Sequence, residues 1–100
     1  MRQVMVRYKV KPDQAERNEE LVRAVYEELH AAQPSGFRYA TYKLDDGVSF
    51  VHVATYEGDQ GGNPLAEVAA FGRFQEGIKE RCEERPVVTE LQEVGSFGHR

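Results

Sequence analysis

His52 sits in the run Ser49-Phe50-Val51-His52-Val53-Ala54-Thr55-Tyr56, among aromatic and β-branched residues where a surface histidine is out of place. Imidazole is the side chain that titrates near neutrality unaided, so a base or a group that orients a substrate oxygen is the chemistry it offers. The plainer account is a histidine hydrogen-bonded and inert inside a packed layer. Asn18 is the second candidate. It lies near the centre of an apolar stripe formed by Ala15, Leu21, Val22 and Val25, where an amide must find a partner in a ligand, a loop or the backbone. Tyrosines are the third element: Tyr8, Tyr39, Tyr42 and Tyr56 fall in strand-like runs and Tyr26 at the edge of the helical stripe. Rings with a hydroxyl tip suit the stacking and orienting of a planar phenolic ligand, and they are equally ordinary strand residues.

These side chains are positioned by two runs that flank Asp45-Asp46-Gly47, a turn sequence in which Gly supplies the positive φ of a tight hairpin. Loop length decides which tyrosine joins His52: two residues in the loop group Tyr39 with it, three group Tyr42. Upstream, Val4, Val6, Tyr8 and Val10 alternate as a strand. Pro12 ends it, and Asp13 with Glu16 reads as a capping box for an amphipathic helix of about five turns from Ala15 to Ala32. Downstream, Glu57 to Gly62 reads as a flexible loop and Asn63-Pro64 as the start of a second helix. Its buried stripe is Val68, Phe71, Phe74, Ile78 and Cys82, weakened by Gly72 and Gly77. Pro86 then ends that helix, Val87 to Val94 forms a last strand, and Gly95 to Arg100 is a tail that frays or docks on a partner.

The order β-α-β-β-α-β over residues 1–100 predicts a single α+β domain of the ferredoxin-like split βαβ type: a four-stranded antiparallel sheet with both helices on one face. Both faces of the hairpin carry large apolar groups, Val51 and Val53 on one and Phe50, Ala54 and Tyr56 on the other. A sheet with two apolar faces calls for a second layer, and a homodimer packed sheet to sheet would supply it.

A net charge of −4 over 100 residues speaks against nucleic acid as a partner. Arg7, Lys9 and Lys11 share one strand face, read as solvated or as part of an interface. No apolar run is long enough for a bilayer and the N-terminus does not read as a signal peptide, so a cytoplasmic location is expected. Cys82 is a lone cysteine flanked by acidic residues and is read as a core residue, not a nucleophile. His30, on a helix shoulder, and His99, in the tail, are weak candidates. There is no His or Cys pair at metal-ligand spacing and no phosphate-binding glycine motif, so neither a metal nor a cofactor is expected.

Three stretches, VMVRYKVKPDQAERNEELVRAV, PSGFRYATYKLDDGVSFVHVATYE and FGRFQEGIKERC leading to PVVTELQEVGSFG, resemble the antibiotic-biosynthesis-monooxygenase (ABM) family of dimeric α/β-barrel proteins over nearly the whole chain. The resemblance implies a cofactor-free monooxygenase, or a related isomerase, of a small aromatic or quinol-like substrate. On that reading His52 is catalytic and Asn18, Tyr39, Tyr42, Phe71 and Phe74 are substrate-binding. The haem-degrading branch of the family uses an Asn on the first strand and a Trp and a His on the second helix. Here the first strand has no Asn, the second helix no His and the chain no Trp, which speaks against haem degradation. The alternative is a non-catalytic dimeric module that binds a small molecule or another protein.

Overall fold

In a computed structural model, which describes residues 1–57 and 63–98, the chain forms a four-stranded antiparallel sheet with its helices on one face. The order is β1 (Arg2–Val10), α1 (Ala15–Ala32), β2 (Phe37–Lys43), β3 (Ser49–Tyr56), α2 (Ala69–Gln75), α3 (Ile78–Arg81) and β4 (Cys82–Leu91), with 3-10 turns at Pro12–Gln14 and Pro64–Glu67. The strands lie side by side as β2-β3-β1-β4. That is the ferredoxin-like α+β arrangement expected from the element order. Of the loop expected from Glu57 to Gly62, residues 58–62 lie outside the described residues, as do His99 and Arg100.

Alternation puts Val4, Tyr8 and Val10 of β1 and Phe50, His52 and Ala54 of β3 on the helix side, where they are buried. Leu21, Val22, Val25 and Leu29 of α1 and Phe74 of α2 close over them. Burying each aliphatic side chain of this kind is worth about 1.5–3 kcal/mol, so α1 is held by its stripe more than by its own propensity.

The hairpin settles which face is which. Asp45 to Val48 form a four-residue loop between Leu44 and Ser49, closed by Leu44 N–H donating to Ser49 O at 2.9 Å and Gly47 N–H to Leu44 O at 3.0 Å. Gly47 takes φ 77°, as the turn requires. Asp46 accepts from the Val48 and Ser49 amides and from the Ser49 hydroxyl at 2.6–2.9 Å. The hydroxyl bond, then the two amide bonds, pull its carboxyl down to about 2. Four residues have the same parity as two, so Thr41 pairs with His52, Tyr39 with Ala54 and Tyr42 with Val51.

The second half differs from the pattern read off the sequence. One long helix to Cys82 is replaced by a 3-10 turn, α2 and the single turn α3, because Gly77 adopts φ 76° and breaks the helix into a corner. Cys82 opens β4, and Pro86 lies inside that strand. β4 is an edge strand whose register slips between Arg7 and Val10 of its partner, and an edge with a bulge accommodates a residue that cannot donate. At the start of α1 the capping box is absent: Asp13 belongs to the 3-10 turn and Gln14 is the N-cap, with no side-chain bond. A tertiary cap occurs instead on α2, where Glu28 of α1 accepts from the Ala69 and Ala70 amides at 3.2 and 2.6 Å.

Candidate active site

Strand β3 delivers His52 into the layer between sheet and helices, where its side chain is 4% exposed and both ring nitrogens find hydroxyls. Nε2 lies 2.8 Å from the Tyr8 hydroxyl, two strands' side chains meeting across the β1–β3 pair. Nδ1 lies 2.6 Å from the Tyr39 hydroxyl and 3.1 Å from Thr41 Oγ1, both on the inner face of β2. Thr41 in turn shares a 2.7 Å hydrogen bond with Tyr26 of α1. The chain of bonds continues in the other direction. Asn18 Nδ2 donates to the Tyr8 hydroxyl at 2.8 Å, and Arg81 Nε donates to Asn18 Oδ1 at 3.3 Å. The Arg81 guanidinium also donates to the carbonyls of Glu76 (3.0 Å) and Phe74 (2.5 Å) and lies 5.3 Å from the centre of the Phe74 ring.

Burial governs the acid–base character of the group. It pushes the His52 imidazolium down to about 4, so the ring is neutral at physiological pH. It raises the Tyr8 and Tyr39 phenols well above their ordinary range, and the Asn18 bond only partly offsets this for Tyr8. Tyr26 is raised for the same reason, and the Arg81 guanidinium is lowered by burial. Cys82 is a buried free thiol, raised by burial, in keeping with a core residue.

Beside this network, a cleft of about 180 Å³ opens between the C-terminal end of α1 and β2. Tyr26, Leu29, His30, Gln33, Pro34, Phe37 and Tyr39 line it. Gln33 ends α1 in the left-handed conformation at φ 49°, which turns the chain and shapes the rim. The cleft meets the network at Tyr26 and Tyr39, not at His52. Phe74 packs on the imidazole at 5.4 Å between ring centres and on Tyr8 at 6.1 Å, and Phe71 stacks on Phe74 at 6.0 Å. These two phenylalanines fill the core around the histidine and do not line the cleft.

The structure therefore brings together His52, Asn18 and Tyr39 and separates Tyr42 from them. Tyr42 is 60% exposed on the opposite face of the sheet, because the loop has even length. Asn18 finds its partners in Tyr8 and Arg81, not in the backbone. Thr41 and Arg81 also belong to the network, though neither is a candidate on sequence grounds. Thr41 becomes visible once the hairpin register is known. Arg81 follows Ile78 by three residues and Phe74 by seven, and so continues an apolar helical stripe, which is the signal it carries.

The architecture defines a ferredoxin-like α+β protein with a polar network buried under its helices, and solved structures share it. A candidate antibiotic biosynthesis monooxygenase from Nitrosomonas europaea is 20% identical, with a TM-score of 0.78 over 95% of this chain and 100% of the other. A second antibiotic biosynthesis monooxygenase is 16% identical, with a TM-score of 0.76 over the same shares. Rv0793 from Mycobacterium tuberculosis is 20% identical, with a TM-score of 0.75 over 95% of this chain and 96% of that one. At these identities the likeness is one of fold, and it is the fold that the ABM resemblance implied. No family model and no curated protein matches the chain.

Proposed function

We propose that the protein is a cofactor-free monooxygenase, or a related isomerase, acting on a small aromatic or quinol-like molecule held in the cleft at Tyr39. The observation that carries this reading is the neutral, buried His52 hydrogen-bonded to Tyr39, a residue that lines the cleft. Oxygen chemistry without a cofactor asks the protein to hold an electron-rich substrate in an ionised form and leave oxygen to react with it. His52 then acts through Tyr39 and not by contact with the substrate. The names of the structural neighbours support the activity class by analogy of fold. Oxygen uptake measured with a panel of dihydroxyaromatics tests it: uptake by the wild type that His52→Ala abolishes is expected, and no substrate-dependent uptake by either refutes it.

A specific observation favours a second reading, a binding module without chemistry. The space over His52 is filled by Phe74 and Tyr8, so a ligand in the cleft meets only the end of the network. Binding of a phenol with no oxygen uptake would decide for it.

We further propose that the active species is a homodimer. The sheet face away from the helices carries Met5, Val51 and Val53 on its two central strands, Tyr42 on the edge strand β2, and Val87 on the edge strand β4 beside Arg7. Val87 is 62% exposed, and an open apolar face of this kind suits a second copy. Sedimentation should give a dimer at micromolar concentration and a monomer for Val53→Lys. A monomeric wild type refutes this. Among the described residues no helix is long and apolar enough to cross a membrane.

A further inference from the structure

The hydrogen-bond chain from Arg81 to Tyr39 has a direction. Arg81 possesses only donors, so the atom of Asn18 that faces it must be the carbonyl oxygen, and the amide NH₂ is thereby aimed at Tyr8. The Tyr8 oxygen accepts that bond, which leaves its own proton for His52 Nε2. A neutral imidazole that accepts at Nε2 carries its proton on Nδ1 and donates there, to the Tyr39 oxygen at 2.6 Å, with Thr41 Oγ1 as a longer second acceptor. The Tyr39 hydroxyl proton is then left over, on a residue that lines the cleft.

The reverse arrangement is the poorer one. With the proton on Nε2, both His52 and Asn18 donate to Tyr8, and the Tyr8 hydroxyl proton is left without an acceptor among the described residues. Tyr8 is 2% exposed and sealed beneath Phe50 and Phe74. Each arrangement strands one proton. The first leaves it on Tyr39, a half-buried residue beside the cleft; the second leaves it on Tyr8 in the core, the costlier case. Arg81 also has no carboxylate hydrogen-bonded to it among the described residues, only neutral carbonyl and amide oxygens. Its charge therefore polarises the chain in the same sense.

We propose that Arg81, through Asn18, Tyr8 and His52, sets the Tyr39 hydroxyl as a donor into the cleft, so that the site takes its ligand as a hydrogen-bond acceptor: a phenolate, enolate or quinone oxygen. Arg81 is a positioning residue in this scheme, and the imidazole lone pair points away from the cleft, toward Tyr8. The inference rests on the reading of the cleft as a substrate site and adds to it the ionisation state the site selects.

Two measurements separate the parts. The ¹⁵N resonances of His52 in the full chain report its tautomer without any ligand. The Nδ1–H form is expected in the wild type. Asn18→Asp should invert it, because a carboxylate bonded to Arg81 can only accept from Tyr8, which then accepts from Nε2–H. An Nε2–H wild type, or a tautomer indifferent to Asn18→Asp in a folded variant, overturns the proposal. Arg81→Lys, which keeps the charge and the donor, should retain the wild-type tautomer and guards against loss of fold in the first variant. The second measurement titrates 4-nitrophenol, whose ionised form absorbs in the visible, against the protein. Its pKa should fall by about 1 unit on binding, and that fall should vanish in Asn18→Asp. A bound probe whose pKa rises overturns the proposal. A probe that does not bind overturns the cleft as a ligand site, while the tautomer result stands on its own.

Discussion

Protonating His52 places a charge among Tyr8, Tyr39 and Phe74, with no anion bonded to the ring and with hydrogen-bond directions on both sides set for the neutral form. The ordinary histidine value of 6.5 falls to about 4 in the folded chain because of burial. The unfolded chain thus binds a proton the folded chain refuses. The stabilisation is therefore fully present above pH 6.5, is lost as the pH falls toward 4, and changes no further below that. At 1.36 kcal/mol per unit, a gap of about 2.5 units is worth about 3 kcal/mol, a large part of a typical folding stability of roughly 5–15 kcal/mol. Tyr8, Tyr26 and Tyr39 stay neutral throughout, since burial raises each of them. The window between pH 7 and 5 is the informative one, because carboxylates such as Asp46 titrate lower. In it the stability should fall by about 2 kcal/mol, moving a urea midpoint by about 1–2 M at the roughly 1–2 kcal/mol/M expected for a chain this size. The assay is urea unfolding at half-unit pH steps for the wild type and for His52→Gln. The variant should be less stable at pH 7 and should lack the slope. A wild-type midpoint flat between pH 7 and 5, or an equal slope in the variant, refutes the buried neutral histidine.

Three further outcomes follow from the same contacts. Glu28→Ala removes the carboxylate that caps α2 through Ala69 and Ala70 and should cost about 1 kcal/mol in urea unfolding, against a few tenths for Glu27→Ala on the same helix. Tyr39→Phe should abolish 4-nitrophenol binding in the cleft while Tyr42→Phe leaves it unchanged, since Tyr42 is on the far side of the sheet; equal effects in equilibrium dialysis would contradict the register. Asp46→Ala removes three bonds that close the β2–β3 loop and should lower the melting temperature, with the loss seen at pH 7 and absent below pH 2, where the wild-type carboxyl is itself protonated.

The sheet, its strand pairing and the span of α1 were legible because each is written as a period: two in Val4 to Val10, three-to-four in Leu21 to Leu29. The face of Tyr39 was legible only up to parity. That depended on whether the loop holds an even or odd number of residues, and backbone bonds at Leu44 and Gly47 decide it. The break in the second helix was half visible. Gly72 and Gly77 mark weak helix equally in sequence, yet only Gly77 takes positive φ, because the chain must turn there to return β4 alongside β1. No local pattern distinguishes the two.

That corner at Gly77 also bears on the site. It starts the single turn of α3, which ends in Arg81, and the Arg81 carbonyl accepts from Lys11 N–H at 2.8 Å where β1 finishes. The guanidinium is held by carbonyls of Phe74 and Glu76, the residues leading into the same corner. Backbone geometry at one glycine therefore places the cation that orders Asn18, and through it Tyr8, His52 and Tyr39. A β-carbon at position 77 would meet no backbone atom within 4 Å, its neighbours being the ends of the Glu80 and Arg81 side chains at 3.7 and 3.8 Å, so the conformation itself is what excludes other residues. Gly77→Ala should then disturb His52 at a distance. A shifted His52 ¹⁵N resonance in a variant that still folds would show the corner and the network to be one mechanical unit, and an unshifted resonance would show that Arg81 is held independently of the turn that carries it.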